Sequence, residues 1–162
     1  MCLINEQCNK QIKSIQFITD NIAIGNVNSL SNNELKRNKI TYILNLSGQI
    51  SPVDIPCMNV FIRDEPIMGK EYIKVLLKMA DLSYLIDKLL KLGHTVLINC
   101  YAGINRSATL ITCYMILYEN IKPKSAIQII RKKNSLVKRP ALTNESFVSL
   151  IYSIYELSSY VK

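Results

Sequence analysis

Residues 96–117 read VLINCYAGINRSATLITCYMIL, and the order of residue types in that stretch decides the fold. Val96, Leu97 and Ile98 form the apolar run expected of a strand buried on both faces. The strand delivers Cys100 to its C-terminal end. Tyr101, Ala102, Gly103, Ile104 and Asn105 then lead into Arg106 and Ser107. Residues 106–119 are apolar on nearly every side, which predicts a helix buried in the middle of a domain. A tight loop between such a strand and helix turns successive N–H groups inward, and the helix start adds its partial positive charge. Gly103 permits the turn. Arg106 offers a planar fork for two oxygens of a tetrahedral dianion, and the same field favours Cys100 as a thiolate. A nucleophile beside a phosphate seat implies phosphoryl transfer through a phosphocysteine. C-x5-R alone would read as a buried cysteine with a surface arginine. The strand before it, the internal glycine and the apolar helix after it argue for the anion cradle.

The rest of the chain alternates in the same way. Residues 15–25 read as short strands joined at Asp20-Asn21, residues 30–38 as a short polar helix, and residues 40–47 (ITYILNLS) as a buried strand. Residues 58–64 (MNVFIRD) are a further strand candidate. From about residue 70 to 92, Tyr72, Ile73, Leu76, Ala80, Leu85, Ile86 and Leu89 recur at roughly helical spacing, and Gly93 follows where a C-terminal cap belongs. Pro123 breaks the buried helix, another helix is expected at about 125–133, and a last one after Thr143 as N-cap. With 162 residues, 49% of them hydrophobic, the chain fits one domain. Strands interleaved with helices predict an α/β domain with a central, mostly parallel sheet flanked by helices.

Charge and composition narrow the chemistry. The formal net charge is +8. Lys122, Lys124, Arg131, Lys132, Lys133, Lys138 and Arg139 fall within 122–139 without an acidic residue among them, leaving 13 basic against 12 acidic residues elsewhere. That segment is either a solvated helix face with its loop or a seat for an acidic partner; the chain outside it is near neutral. Five cysteines, Cys2, Cys8, Cys57, Cys100 and Cys113, are scattered without C-x-x-C spacing, which suits a reducing compartment better than a disulfide framework or a zinc site. No secretory signal and no apolar stretch of membrane-spanning length is visible. The expectation is an intracellular protein, cytoplasmic and with the nucleus open, with no membrane span and no metal or other cofactor. His94 is the single histidine, six positions before Cys100 and so about 20 Å away along an extended strand. It cannot act as a base on Cys100, which excludes a Cys–His dyad.

Cys100-Tyr-Ala-Gly-Ile-Asn-Arg106-Ser107-Ala108-Thr109 resembles the active-site loop of the dual-specificity protein phosphatases, within the cysteine-dependent protein tyrosine phosphatase superfamily. The resemblance extends over residues 14–162. ITDNIAIGN (18–26) resembles the family's opening strand pair, ITYILNLS its central strand, IRDEP (62–66) its general-acid loop and RPALTNESF (139–147) its closing segment. It implies the protein tyrosine phosphatase-like fold, with residues 1–13 as an N-terminal extension that is either a tail or an extra helix able to mediate a homodimer. It also implies Cys100 as nucleophile, Arg106 as phosphate clamp, Ser107 as a donor to the departing sulfur and Asp64 as general acid and then base. Tyr101, Ala102, Gly103, Ile104, Asn105 and Arg106 become the phosphate loop, with Asn99 and Asn144 as supporting residues.

Two features depart from the family pattern. The family places histidine immediately before the nucleophile, where this chain has Asn99, an amide without positive charge. Slower turnover is expected. Asp64 lies 36 positions before Cys100, a few more than usual, with the extra residues expected near PIMGKEYIKVL; Glu65 is the nearest substitute acid. Asp81 and Asp87 read as the solvated face of the long helix. Cys57 and Cys113 are candidates for a reversible disulfide with Cys100, but their apolar surroundings favour simple burial.

Three functions follow. The first is hydrolysis of phosphotyrosine and phosphoserine/threonine in proteins. The second is a pseudophosphatase that binds phosphoproteins, motivated by Asn99. The third is an RNA 5′-triphosphatase or phosphoinositide phosphatase, motivated by the basic segment. Cys100, Arg106 and Ser107 together favour the first over the second. The loop holds no lysine or extra arginine for a polyanionic head group, and Asp64 is present, which favours the first over the third and makes a nucleic-acid partner the weaker expectation.

Overall fold

Alternation along the strands buries both sides of one sheet. The computed structural model describes residues 13–50, 52–136 and 138–160. The N-terminal extension, save Lys13, lies outside them, with Cys2, Cys8 and the dimer contact expected there. The strands are β1 (Ile15–Phe17), β2 (Ile22–Gly25), β3 (Tyr42–Asn45), β4 (Cys57–Asn59) and β5 (Val96–Asn99). They lie in the order β1-β2-β5-β3-β4. Only the β1–β2 pair is antiparallel; β2–β5, β5–β3 and β3–β4 are parallel. This is the α/β architecture with a mostly parallel sheet expected above.

Successive strand residues face opposite ways. Ile22, Ile24, Leu44, Val96 and Ile98 join the large core with the helices α2 (Gly69–Lys91), α3 (Arg106–Tyr118), α4 (Pro123–Lys133) and α5 (Glu145–Ser159). Ala23, Ile43 and Leu97 pack instead with Ile15, Ile40 and Leu35 of α1 (Asn32–Arg37). Helix α3 is buried at every residue from 106 to 116 because it is sandwiched between α2, α4 and α5. Its all-round apolar character is thus a packing requirement. Among the described residues no helix is long and apolar enough to cross a membrane.

The register brings Gly25, Asn99, Asn45 and Asn59 into one row at the C-terminal ends of the four parallel strands. In open α/β sheets this edge is where ligands are met. The row has its own hydrogen bonds. Asn45 Nδ2 donates to Asn59 Oδ1 at 2.7 Å, and Asn99 Nδ2 donates to Asn45 Oδ1 at 3.1 Å.

Some sequence expectations shift. The strand expected over 58–64 stops at Asn59: Val60 N still donates to Asn45 O, but the chain then leaves the sheet, with the Ile62 carbonyl turned toward Arg106. Pro123 is not what ends α3. It opens α4 in the first turn, where a missing N–H costs nothing. Asn144, not Thr143, caps α5, its side chain accepting from Ser146 N at 3.1 Å. Asp81 is exposed, but Asp87 is buried and bonded to Lys91 at 2.7 Å, so the long helix is not solvated along its whole acidic side.

Phe147 is the largest fully buried side chain, where α5 closes over the core. Phe147→Ala should cost roughly 3–5 kcal/mol. In urea unfolding the midpoint should fall while the slope stays unchanged.

Candidate active site

The loop after β5 is shaped from outside. Val27 N donates to Tyr101 O at 3.1 Å, Asn134 Nδ2 to Gly103 O at 2.7 Å, and Leu142 N to Ile104 O at 3.0 Å. A trans peptide holds its C=O and the following N–H on opposite sides. Carbonyls engaged outward therefore aim the N–H groups of Ala102, Ile104 and Asn105 inward, and none of the described residues accepts from them. Gly103 has φ +69°, and a Cβ there would meet Leu136 Cδ1 at 2.7 Å and Gly25 O at 3.1 Å. Only glycine suits both the conformation and the space.

Cys100 stands at the base of this cradle, 1% exposed, its N–H donating to Gly25 O at 3.2 Å. Its Sγ lies 3.2 Å from Ser107 Oγ, in the first turn of α3. At the N-cap position of α3, Asn105 makes no side-chain cap, so the first N–H groups of the helix are not taken by it. The positive end of the helix dipole is thus left facing the loop.

Arg106 is also buried. Its Nη1 donates to Leu46 O at 3.3 Å and Ile62 O at 3.0 Å, carbonyls just beyond the ends of β3 and β4. These bonds fix the plane of the guanidinium and leave its other edge. Nε is buried without a hydrogen-bond partner among the described residues, and it lies 3.8 Å from Asp64 Oδ2, beyond hydrogen-bond reach. A buried donor left unpaired costs about 1–3 kcal/mol, which an anion with two oxygens would recover.

Asp64 faces this edge from the irregular segment after β4. Asn105 Nδ2 donates to both of its oxygens, at 3.0 and 3.3 Å, and Asn144 Nδ2 reaches Oδ1 at 3.4 Å. Glu65 turns outward, paired with Arg63 at 3.3 Å, while its carbonyl accepts from Asn144. So the geometry brings Cys100, Arg106, Ser107 and Asp64 together and leaves Glu65 outside.

The family model for "Dual specificity phosphatase, catalytic domain" matches residues 22–156, most of the chain. The chain belongs to the dual specificity phosphatase family. Dual specificity protein phosphatase 1B of Arabidopsis thaliana is 22% identical over 139 residues, which is 85% of this chain and 79% of the relative. Among solved structures, human DUSP28 superposes with a TM-score of 0.77 at 17% identity, covering 91% of this chain and 99% of that one. The human tyrosine phosphatase-like serine/threonine/tyrosine-interacting protein gives 0.73 at 22% identity, covering 92% and 99%. At such identities the structural likenesses speak to the fold, which is that of the protein tyrosine phosphatases.

In this phosphatase Asn99 is fully buried. Its Nδ2 is bonded to Asn45, and its Oδ1 has no partner among the described residues. His94 sits at the opposite end of β5, 3.0 Å from Thr41 Oγ1 and edge-on to Tyr42, remote from the loop. Cys57 packs with the α1-side cluster whereas Cys100 belongs to the helix-side core, so the sheet separates them. Cys113 is fully buried, and burial pushes its thiol far above the ordinary range. Cys57, Cys100 and Cys113 are all free. Among the described residues no group of three or more His, Cys, Asp or Glu side chains could hold a metal ion.

Several supporting residues were not singled out in the sequence. Asn45 takes three donors on Oδ1, from Asn99, Ser47 N and Ser47 Oγ, and ties the turn after β3 through Gln49 O. Asn134 and Leu136, inside the basic stretch, buttress Gly103. That stretch therefore also supports the loop, beyond the solvated face or acidic-partner seat that its charge suggested. A polar residue closing an apolar strand, as in YILN and VLIN, was the available signal for Asn45.

Gly103→Ala should lower turnover on the order of 10²-fold, the scale set by displacing a reacting group by about 1 Å. Circular dichroism should still report a folded protein. Unchanged kcat on an aryl phosphate would show that the loop tolerates the side chain.

Proposed function

We propose that this dual specificity phosphatase hydrolyses phosphotyrosine and phosphoserine/threonine in proteins through a phosphocysteine on Cys100. The observation that carries the reading is the half-engaged, buried Arg106 guanidinium, whose free edge stands beside Asp64 over the same loop that holds Cys100.

The Cys100 thiolate attacks phosphorus while the P–O bond to the substrate breaks. Arg106 and the inward N–H groups take the charge of the equatorial oxygens. Asp64, entering as the acid, gives its proton to the departing oxygen. A water then attacks the phosphocysteine, Asp64 as carboxylate takes the water's proton, the S–P bond breaks, and inorganic phosphate leaves. Ser107 donates to the sulfur as it regains negative charge. No step calls for a cofactor.

Of the seven basic residues in 122–139, two are committed to the fold. Arg131 donates to Ala141 O and Leu142 O, and Lys133 to Ile18 O. Lys122, Lys124, Lys132, Lys138 and Arg139 remain exposed, and we assign them to attraction of acidic partners or acidic flanks of the substrate. An intracellular compartment fits the free cysteines.

A second reading, binding of phosphoproteins without turnover, draws on Asn99, which brings no positive charge next to Cys100. Purified protein should hydrolyse an aryl phosphate, Cys100→Ser should abolish this, and Asp64→Ala should lower kcat by roughly 10²- to 10⁴-fold. Phosphopeptide binding with no turnover would favour the second reading.

A side-by-side assay on phosphopeptides, RNA 5′-triphosphate and phosphoinositide vesicles should show preference for the peptides. Faster hydrolysis of either other substrate would move the assignment.

A further inference from the structure

Asn105 lies in the phosphate loop by sequence, yet its side chain serves another group. Its Oδ1 accepts from Thr143 N at 2.9 Å, Thr143 Oγ1 at 3.2 Å and Asn144 N at 3.3 Å. Backbone N–H groups can only donate, so the amide atom facing them is the oxygen. The orientation of the amide is thereby forced, and its NH2 must face Asp64. There it spans both carboxyl oxygens, at 3.0 and 3.3 Å. A donor pair of this kind sets the position and the plane of a carboxyl group together.

The far side of this bridge is itself firmly held. Arg131 Nε and Nη2 grip the carbonyls of Ala141 and Leu142 at 3.1 and 3.2 Å. Leu142, buried and at φ +60°, occupies a left-handed conformation that a branched side chain adopts only when its surroundings impose it. Its N–H is engaged by Ile104 O. Thr143 and Asn144 follow directly, with Asn144 locked as the cap of α5. The braced residues 141–144 therefore fix Asn105, and Asn105 reaches across to a carboxyl on an irregular segment that has left the sheet.

We infer that Asn105 is the positioning residue of the general acid, holding Asp64 toward the leaving oxygen through its amide while Thr143 and Asn144 hold the amide. The inference rests on Asp64 acting as the acid in the reaction proposed above. The hold survives both half-reactions: when one carboxyl oxygen carries the proton, the other still accepts from Nδ2. Because Asn105 acts through Asp64, its effect on the first half-reaction must follow the need for protonation. A substrate that leaves as a weakly acidic phenol needs the acid; one that leaves as a strongly acidic nitrophenol hardly does.

The test is a double-substitution cycle on two substrates, phenyl phosphate and a dinitrophenyl phosphate, with wild type, Asn105→Ala, Asp64→Ala and the pair. Asn105→Ala should lose roughly tenfold or more in kcat/KM on phenyl phosphate and under about threefold on the activated ester. That ratio reports the steps up to the phosphocysteine, and so only the acid role of Asp64. In the Asp64→Ala background the same substitution should cost less than about twofold on phenyl phosphate, the non-additivity expected of residues acting as a unit. Equal losses of kcat/KM on both substrates, or an undiminished loss without Asp64, would overturn the inference and assign Asn105 to the loop's structure alone. Should Asn105→Ala not fold, Asn105→Ser carries the same comparisons. Wild type inactive even on the activated ester would instead bring down the phosphatase reading, and the inference with it.

Discussion

The site depends on how the peptide groups of the 100–106 loop are oriented. Three of its carbonyls are engaged from outside, by Val27 N, Asn134 Nδ2 and Leu142 N, and planarity of the peptide does the rest. The donors come from three separate parts of the chain: the turn after β2, the end of α4 and the α4–α5 connection. None of them is a loop residue. The anion cradle is thus enforced by the packing of the domain around it, and only glycine at position 103 permits the approach.

A second requirement follows from burying polar groups at the open edge of a parallel sheet. Arg106 is accommodated because the chain past β3 and β4 supplies two carbonyls, and Asn99, Asn45 and Asn59 satisfy much of one another's demand along the strand ends. Buried polar networks are costly when incomplete. The two atoms left unpartnered among the described residues, Arg106 Nε and Asn99 Oδ1, both belong to the immediate neighbourhood of Cys100. The other buried side-chain polar atoms of the described residues have partners. Of the two unpartnered atoms, the donor Arg106 Nε is the one an anion would satisfy.

Much of the fold was legible because periodicity reports burial. The apolar run in ITYILNLS describes a strand buried on both faces and the helical spacing from Tyr72 to Leu89 one packed face, and strand β3 and helix α2 lie where those patterns fall. MNVFIRD misled because its apolar residues serve different ends. Cys57 to Asn59 pair with β3, whereas Ile62 is buried beside the active site with its carbonyl on Arg106. Apolar residues in a functional loop imitate a strand when read one at a time. Similarly, Thr143 and Asn144 are both good caps by composition, and the competition was decided by Asn105, which draws Thr143 to itself.

By itself the sequence determined which groups stand near the cysteine. The order strand, Cys100, glycine-bearing loop, Arg106, Ser107 and buried helix involves neighbours along the chain, and local geometry carries such neighbours into one place. What only the tertiary structure decided is which distant groups serve that place. Asp64 faces the loop while Glu65 turns to Arg63, Arg131 braces a loop instead of greeting a partner, and Asn105 turns its amide to the Asp64 carboxyl. Each of these depends on where a side chain far off in sequence finds its hydrogen-bond partner. Such pairings are settled by sheet register and helix packing, and a linear pattern carries no record of them.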